Sequence, residues 1–103
     1  MKYTISQQRL NDFKISYLDN ISQNPAMLDN FIVISRQDEG EDIEQDVIME
    51  YDYEDGRLYV ENSFFRRYHD MFFPNENYWD VANFILTWFE KKFGVDVEYV
   101  DYK

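Results

Sequence analysis

In residues 46–61, DVIMEYDYEDGRLYVE, apolar and acidic residues alternate on both sides of an Asp55-Gly56 pair. A period of two sends successive side chains to opposite faces of a strand, and Asp-Gly is a preferred two-residue hairpin turn. The stretch therefore predicts two antiparallel strands with one buried face. With Asp55 and Gly56 central, Glu54 faces Arg57, Tyr53 faces Leu58, Asp52 faces Tyr59, Tyr51 faces Val60 and Glu50 faces Glu61. Val47, Met49, Tyr51 and Tyr53 on one strand, and Leu58 and Val60 on the other, then point inward. Asp46, Glu50, Asp52, Glu54 and Glu61 point outward, with Tyr59 among them and Arg57 as their counter-charge. Glu50 opposite Glu61 would be a like-charge cross-strand pair, which weakens a sheet. Folding alone gives no reason for such a pair.

The flanking segments read as helix, three strands, two helices and a strand. From Ile5 to Ile21, Leu10, Phe13, Tyr17, Leu18 and Ile21 recur at three and four, the stripe of an amphipathic helix that Asn24-Pro25 ends. FIVIS, 31–35, is a β-branched run expected to be a well-buried strand. Asn62 or Ser63 can cap a short helix to about Phe72, with Phe64, Tyr68 and Met71 on one face, and Pro74-Asn75 stops it. Asn77, with Asp80 three residues on, opens a helix over 78–93 whose core stripe is Tyr78, Ala82, Ile85, Phe89 and Phe93, with Trp88 beside it. Lys91 and Lys92 suit its C-terminal dipole, and Gly94 suits a left-handed stop. VDVEYVDY, 95–102, closes as a strand with Val95, Val97 and Tyr99 inward. The expected fold is a single α+β domain over 1–103, order α-β-β-β-α-α-β, with an antiparallel sheet packed on helices. Its 103 residues, 45% apolar and 19% aromatic, suffice for one core.

Charge is unevenly spread. Asp38 to Glu61 contains eleven acids against one base, so it holds ten of the eleven net negative charges. Such a balance repels nucleic acid and anionic membranes and steers association with basic surfaces. The chain lacks Cys, an 18-residue apolar run and an apolar leader region, so disulfides, a membrane span and a signal peptide are not expected. A cytoplasmic setting follows as the expectation.

The acidic stretch has four possible readings: a solvated surface, a calcium loop, a catalytic carboxylate pair and a partner-binding face. Calcium needs a wrapping loop with Gly at position 6 and Glu at 12, whereas Asp52 to Gly56 puts Gly at position 5 of a tight turn. Carboxylate catalysis needs a cleft that separates two pKa values, which a hairpin face lacks. The lone His69 adjoins Asp70, but neighbours on a helix point different ways. No nucleophile triad or phosphate loop is present in the sequence. The expectation is no catalytic residue, metal or cofactor. As a binding face, alternate carboxylates about 6.6 Å apart along a strand would offer a rigid negative row. Tyr59, Tyr99 or Tyr102 could add the stacking surface of a DNA mimic.

The order αβββα resembles the double-stranded RNA-binding domain, but that family grips phosphates with basic residues near its second helix. Here only Arg66 and Arg67 are candidates, behind an acidic sheet, so direct nucleic-acid binding is not expected. The C-terminal stretch NSFFRRYHDMFFPNENYWDVANFILTWFEKKFGVDVEYVDY, 62–102, is similar in texture to small uncharacterised acidic proteins of tailed phages. That resemblance implies a host-directed or defence-countering role and a host cytoplasm, and it transfers no functional residue. The reading that results is a non-enzymatic acidic inhibitor of a basic, nucleic-acid-handling protein, anti-restriction or anti-CRISPR-like, with DNA mimicry as one form. Its binding residues would be Asp46, Glu50, Asp52, Glu54, Tyr59 and Glu61, and it would act as a monomer or homodimer. The alternatives are an immunity protein for a basic toxin and a small acidic secretion-type chaperone.

Overall fold

The computed structural model describes residues 7–35 and 47–102. Asp46, the Gly40 loop and Ile5 lie outside the described residues. Three helices, α1 (Gln7–Ile21), α2 (Asn62–Phe72) and α3 (Tyr78–Phe93), accompany five strands: β1 (Ala26–Met27), β2 (Phe31–Ser35), β3 (Val47–Asp52), β4 (Arg57–Val60) and β5 (Tyr99–Asp101). The strands form one sheet in chain order. The two-residue β1 is an addition to the expected order. The sheet is also mixed, because β5 runs parallel to β4 while the other neighbours are antiparallel. The α2–α3 connection carries the chain from the end of β4 back to its start, and parallel neighbours require a crossover of that kind.

One face of the sheet builds the core. Ile32, Ile34, Met49, Tyr51, Leu58 and Val60 are buried against Leu18 of α1, Phe65 and Tyr68 of α2, and Val81, Ile85 and Phe89 of α3. FIVIS is half-buried, with Ile32 and Ile34 inward and Phe31, Val33 and Ser35 on the other face. A bulge opposite Ile34 and Ser35 lets consecutive Ile48 and Met49 both enter the core.

The hairpin register differs from expectation by two residues. Asp52 pairs with Arg57, Tyr51 with Leu58, Glu50 with Tyr59 and Met49 with Val60. The turn spans four residues, Tyr53 to Gly56, because Asp52 starts it early. Its carboxylate accepts the Glu54 N–H at 2.9 Å, and its carbonyl accepts the Gly56 N–H at 2.8 Å. An even slip preserves the faces, so Tyr51, Leu58 and Val60 stay inward. Tyr53, expected inside, falls in the turn and is exposed.

Helix ends follow local chemistry. Asn77 caps α3 through the Asp80 N–H at 2.9 Å, and Gly94 ends it in the left-handed region at φ 66°. For α2 the cap is Glu61, one residue before the expected Asn62 or Ser63. Its carboxylate oxygens accept the N–H groups of Ser63 at 3.1 Å and Phe64 at 2.7 Å. An anion there also suits the helix dipole.

Several expected core positions are corrected. Phe13 of α1 is exposed, and the adjacent Lys14 is buried instead, its ammonium 3.8 Å from the centre of the Phe73 ring. Met71 is exposed while Phe65 is buried, and Tyr78 is exposed while Val81 is buried. A helical stripe about 100° wide leaves its borders to be decided by neighbouring elements. The closing strand covers only 99–101. Val97 is buried but Tyr99 is exposed, so the inward phase shifts to Val100 where β5 joins β4.

Candidate functional site

The helices share the buried cluster on the inner face, while the outer-face residues Phe31, Val33, Glu50, Asp52, Arg57, Tyr59 and Asp101 are half-buried and Tyr99 is exposed. Pairing fixes the rows of this outer face. Val33, Glu50, Tyr59 and Asp101 lie side by side across β2 to β5, and Phe31, Asp52, Arg57 and Tyr99 form the next row toward the hairpin turn. Arg57 Nε sits 3.9 Å from the Asp101 carboxylate. At that distance and partial exposure the pair contributes little stability, and its role is to orient both side chains. The face thus presents Glu50 and Asp52 among Phe31, Val33, Tyr59 and Tyr99.

Beyond the turn, the carboxylates of Glu54, Asp55, Asp96 and Glu98 rim a shallow open hollow of about 780 Å³. Tyr51 reaches into its floor and donates its hydroxyl to the Asp96 carbonyl at 2.7 Å. Burial, then the nearby charges beginning with Asp96, push the Tyr51 pKa above the usual phenol value. Tyr51 is therefore a neutral hydrogen-bond donor that ties the hairpin to the segment after α3. The Glu98 N–H donates to the Gly56 carbonyl at 2.7 Å beside it. The hollow lies on the Tyr51 side of the β3–β4 turn and the Glu50 and Asp52 face on the other.

Of the expected binding residues, the structure brings Glu50, Asp52 and Tyr59 together on the outer face and places Glu54 exposed in the turn. Asp46 lies outside the described residues. Glu61 does not join them, because its carboxylate is engaged as the α2 cap. The Glu50–Glu61 pair does not form, since Glu50 meets Tyr59. Asp101 and Tyr99 belong to the surface, although inward-phased reading of VDVEYVDY put Tyr99 in the core. Tyr102 stacks on Phe65 with ring centres 4.3 Å apart, so its face is already occupied.

His69 is tied down away from this surface. Its Nε2 lies 2.6 Å from the Glu76 carbonyl and its Nδ1 3.1 Å from the Asp70 carboxylate. The expectation that His69 and Asp70 diverge is thus overturned by this 3.1 Å contact. Both ring nitrogens face acceptors, so the imidazolium satisfies both, and the pKa is raised first by the Glu76 carbonyl and then by Asp70. No group of three or more His, Cys, Asp or Glu side chains among the described residues is arranged to hold a metal ion. No helix among them is long and apolar enough to cross a membrane.

No protein-family model, curated protein or solved structure matches the chain.

Proposed function

We propose that this chain is a non-catalytic binding protein that docks the outer face of its sheet on a basic protein surface. The observation that carries the reading is the composition of the outer face, with Glu50 and Asp52 set among Phe31, Val33, Tyr59 and Tyr99. An antiparallel face turned only to water would alternate to polar residues throughout. Here aromatic and aliphatic groups lie between the carboxylates, which suits a protein partner better than bulk solvent. The acids around the turn extend the field, and a formal net charge of −11 steers basic surfaces toward it.

The partner class is a nucleic-acid-handling protein, whose basic groove would be occupied and its activity inhibited. A host-directed inhibitor, the role that a resemblance of residues 62–102 to acidic phage proteins would imply, is the first case. The mixture of apolar and acidic groups favours ordinary protein docking over duplex mimicry, which would need a denser charge array. An immunity protein shares these electrostatics. A secretion-type chaperone would instead depend on apolar burial and tolerate salt.

The test is affinity capture at about 50 mM and about 500 mM salt, with wild type and a Glu50→Lys/Asp52→Lys variant. Glu61 is left unchanged, since a cation at the α2 N-terminus would damage the fold. Expected is a partner held at low salt, released at high salt and lost by the folded variant. A partner retained equally by the variant rules out the outer face.

A further inference from the structure

A second surface lies at the edge of β5, the last strand of the sheet among the described residues. A groove of about 270 Å³ runs between this strand and α3, with Trp79, Ala82 and Leu86 on one wall and Tyr99, Val100 and Tyr102 on the other. Trp79 is 67% exposed, the most exposed large apolar residue described, and Tyr99 at the opposite rim is 49% exposed. Aromatic contacts pervade this core, yet neither ring has an aromatic neighbour among the described residues.

The backbone of β5 runs beside the groove. Glu98 directs its N–H to Gly56 on the β4 side. Because N–H and C=O groups of successive strand residues point to opposite sides, Tyr99 turns its own donor and acceptor toward the edge. We propose that this edge and groove bind an extended, basic peptide segment by strand addition. The incoming strand pairs with Tyr99, sets one apolar side chain between Trp79 and Leu86, and places its next side chain toward the outer face.

Charge selects the occupant. Glu98 is the one ionised side chain lining the groove, and Asp96 lies two residues before it. A segment with an apolar residue flanked by Lys or Arg matches this order. A second copy of the chain does not, because each copy brings a net charge of −11 to the contact. The two surfaces meet at Tyr99, but Trp79 and Leu86 lie on α3, on the opposite side of the sheet from Glu50 and Asp52, so substitutions there separate the two proposals.

The test uses a bead-displayed library of random peptides of roughly ten residues, long enough to pair with one edge strand. Expected are enriched sequences with one apolar residue flanked by Lys or Arg. Trp79→Ala and Leu86→Asp should each weaken the best peptide by about tenfold or more, as for an interface anchor. Methylating alternate amide nitrogens of that peptide should abolish binding, while Glu50→Lys/Asp52→Lys should leave it within a few-fold. Trp79 is mostly exposed, so Trp79→Ala should keep the fold and remain informative even if Leu86→Asp does not. No enrichment, undiminished binding by folded Trp79→Ala, or indifference to amide methylation would each overturn the proposal.

Discussion

Glu50 stands opposite Tyr59 across the β3–β4 pair, and Glu61, two residues further on, spends its carboxylate on the first turn of α2. Two acids that look equivalent in the sequence therefore differ in kind. Removing an N-cap acceptor costs about 1 kcal/mol, whereas a substitution on the sheet's outer face, away from any cap, stays within about 0.5 kcal/mol. Glu61→Ala should accordingly lower the urea midpoint while Glu50→Ala scarcely moves it, and Glu61→Asp should recover part of the loss. Equal effects from the two alanine variants would contradict the cap.

Gly56 and Gly94 separate two contributions to a glycine's necessity. Both have positive φ, 68° and 66°, so any L-residue there pays about 1–2 kcal/mol for the left-handed backbone. A Cβ on Gly94 meets open space, whereas one on Gly56 would fall 2.5 Å from Glu98 Cγ and 3.3 Å from the Glu98 amide nitrogen. The Glu98 side chain can move, but its amide is held by the Gly56 carbonyl at 2.7 Å. Gly56→Ala should therefore be more destabilising than Gly94→Ala in thermal melts, and should loosen β5 amides in hydrogen exchange. Matching losses at the two sites would mean that the turn and β5 are not in contact.

What the sequence disclosed depended on whether the signal was local. Asn77, Gly94 and the alternation through Tyr51, Leu58 and Val60 act over a few residues, and each has the role its chemistry suggests. The hairpin register failed because Asp-Gly fits a two-residue turn equally well. Only the Asp52 carboxylate bonding Glu54 starts the turn two residues earlier. The parallel β5 and the outer-face position of Tyr99 depend on a partner forty residues away, beyond any periodicity in VDVEYVDY. Of the candidate site, Glu50, Asp52 and Tyr59 were legible from parity, which a two-residue slip preserves. Glu61 was misassigned because parity carries no information past the last paired residue.

The single His69 offers a direct reading of its surroundings. Its folded pKa is raised by the Glu76 carbonyl and Asp70, so the stabilisation is fully present below the unfolded value near 6.5. It is lost as pH rises through the higher folded value. The groups facing the ring are Asp70, the Glu76 carbonyl and Tyr78, whose ring lies edge-on at 4.8 Å. The one imidazole signal in proton NMR should titrate above 6.5, and Asp70→Asn should lower its midpoint. Stability of wild type relative to His69→Gln should be greater at pH 5.5 than at pH 8. A midpoint at or below 6.5 would show that the ring is solvated.

Lys14 sets two opposing effects against each other. Its side chain is buried on α1, and its ammonium lies 3.8 Å from the Phe73 ring centre and 5.6 Å from that of Phe84. A desolvated cation–π contact is worth about 2 kcal/mol, while withdrawing an ammonium from water costs several kcal/mol. Desolvation should win, so Lys14→Met, which keeps the stem's volume, should stabilise the protein by about 1 kcal/mol. Lys14→Ala removes the packing as well and should destabilise it by about 2 kcal/mol. The Lys14 carbonyl, which accepts the Tyr68 hydroxyl at 2.9 Å, survives both changes, so that buried bond does not confuse the comparison. Denaturant titrations of the two variants decide the matter: a loss in Lys14→Met as large as in Lys14→Ala would show that the aromatic rings outweigh the water that Lys14 gave up.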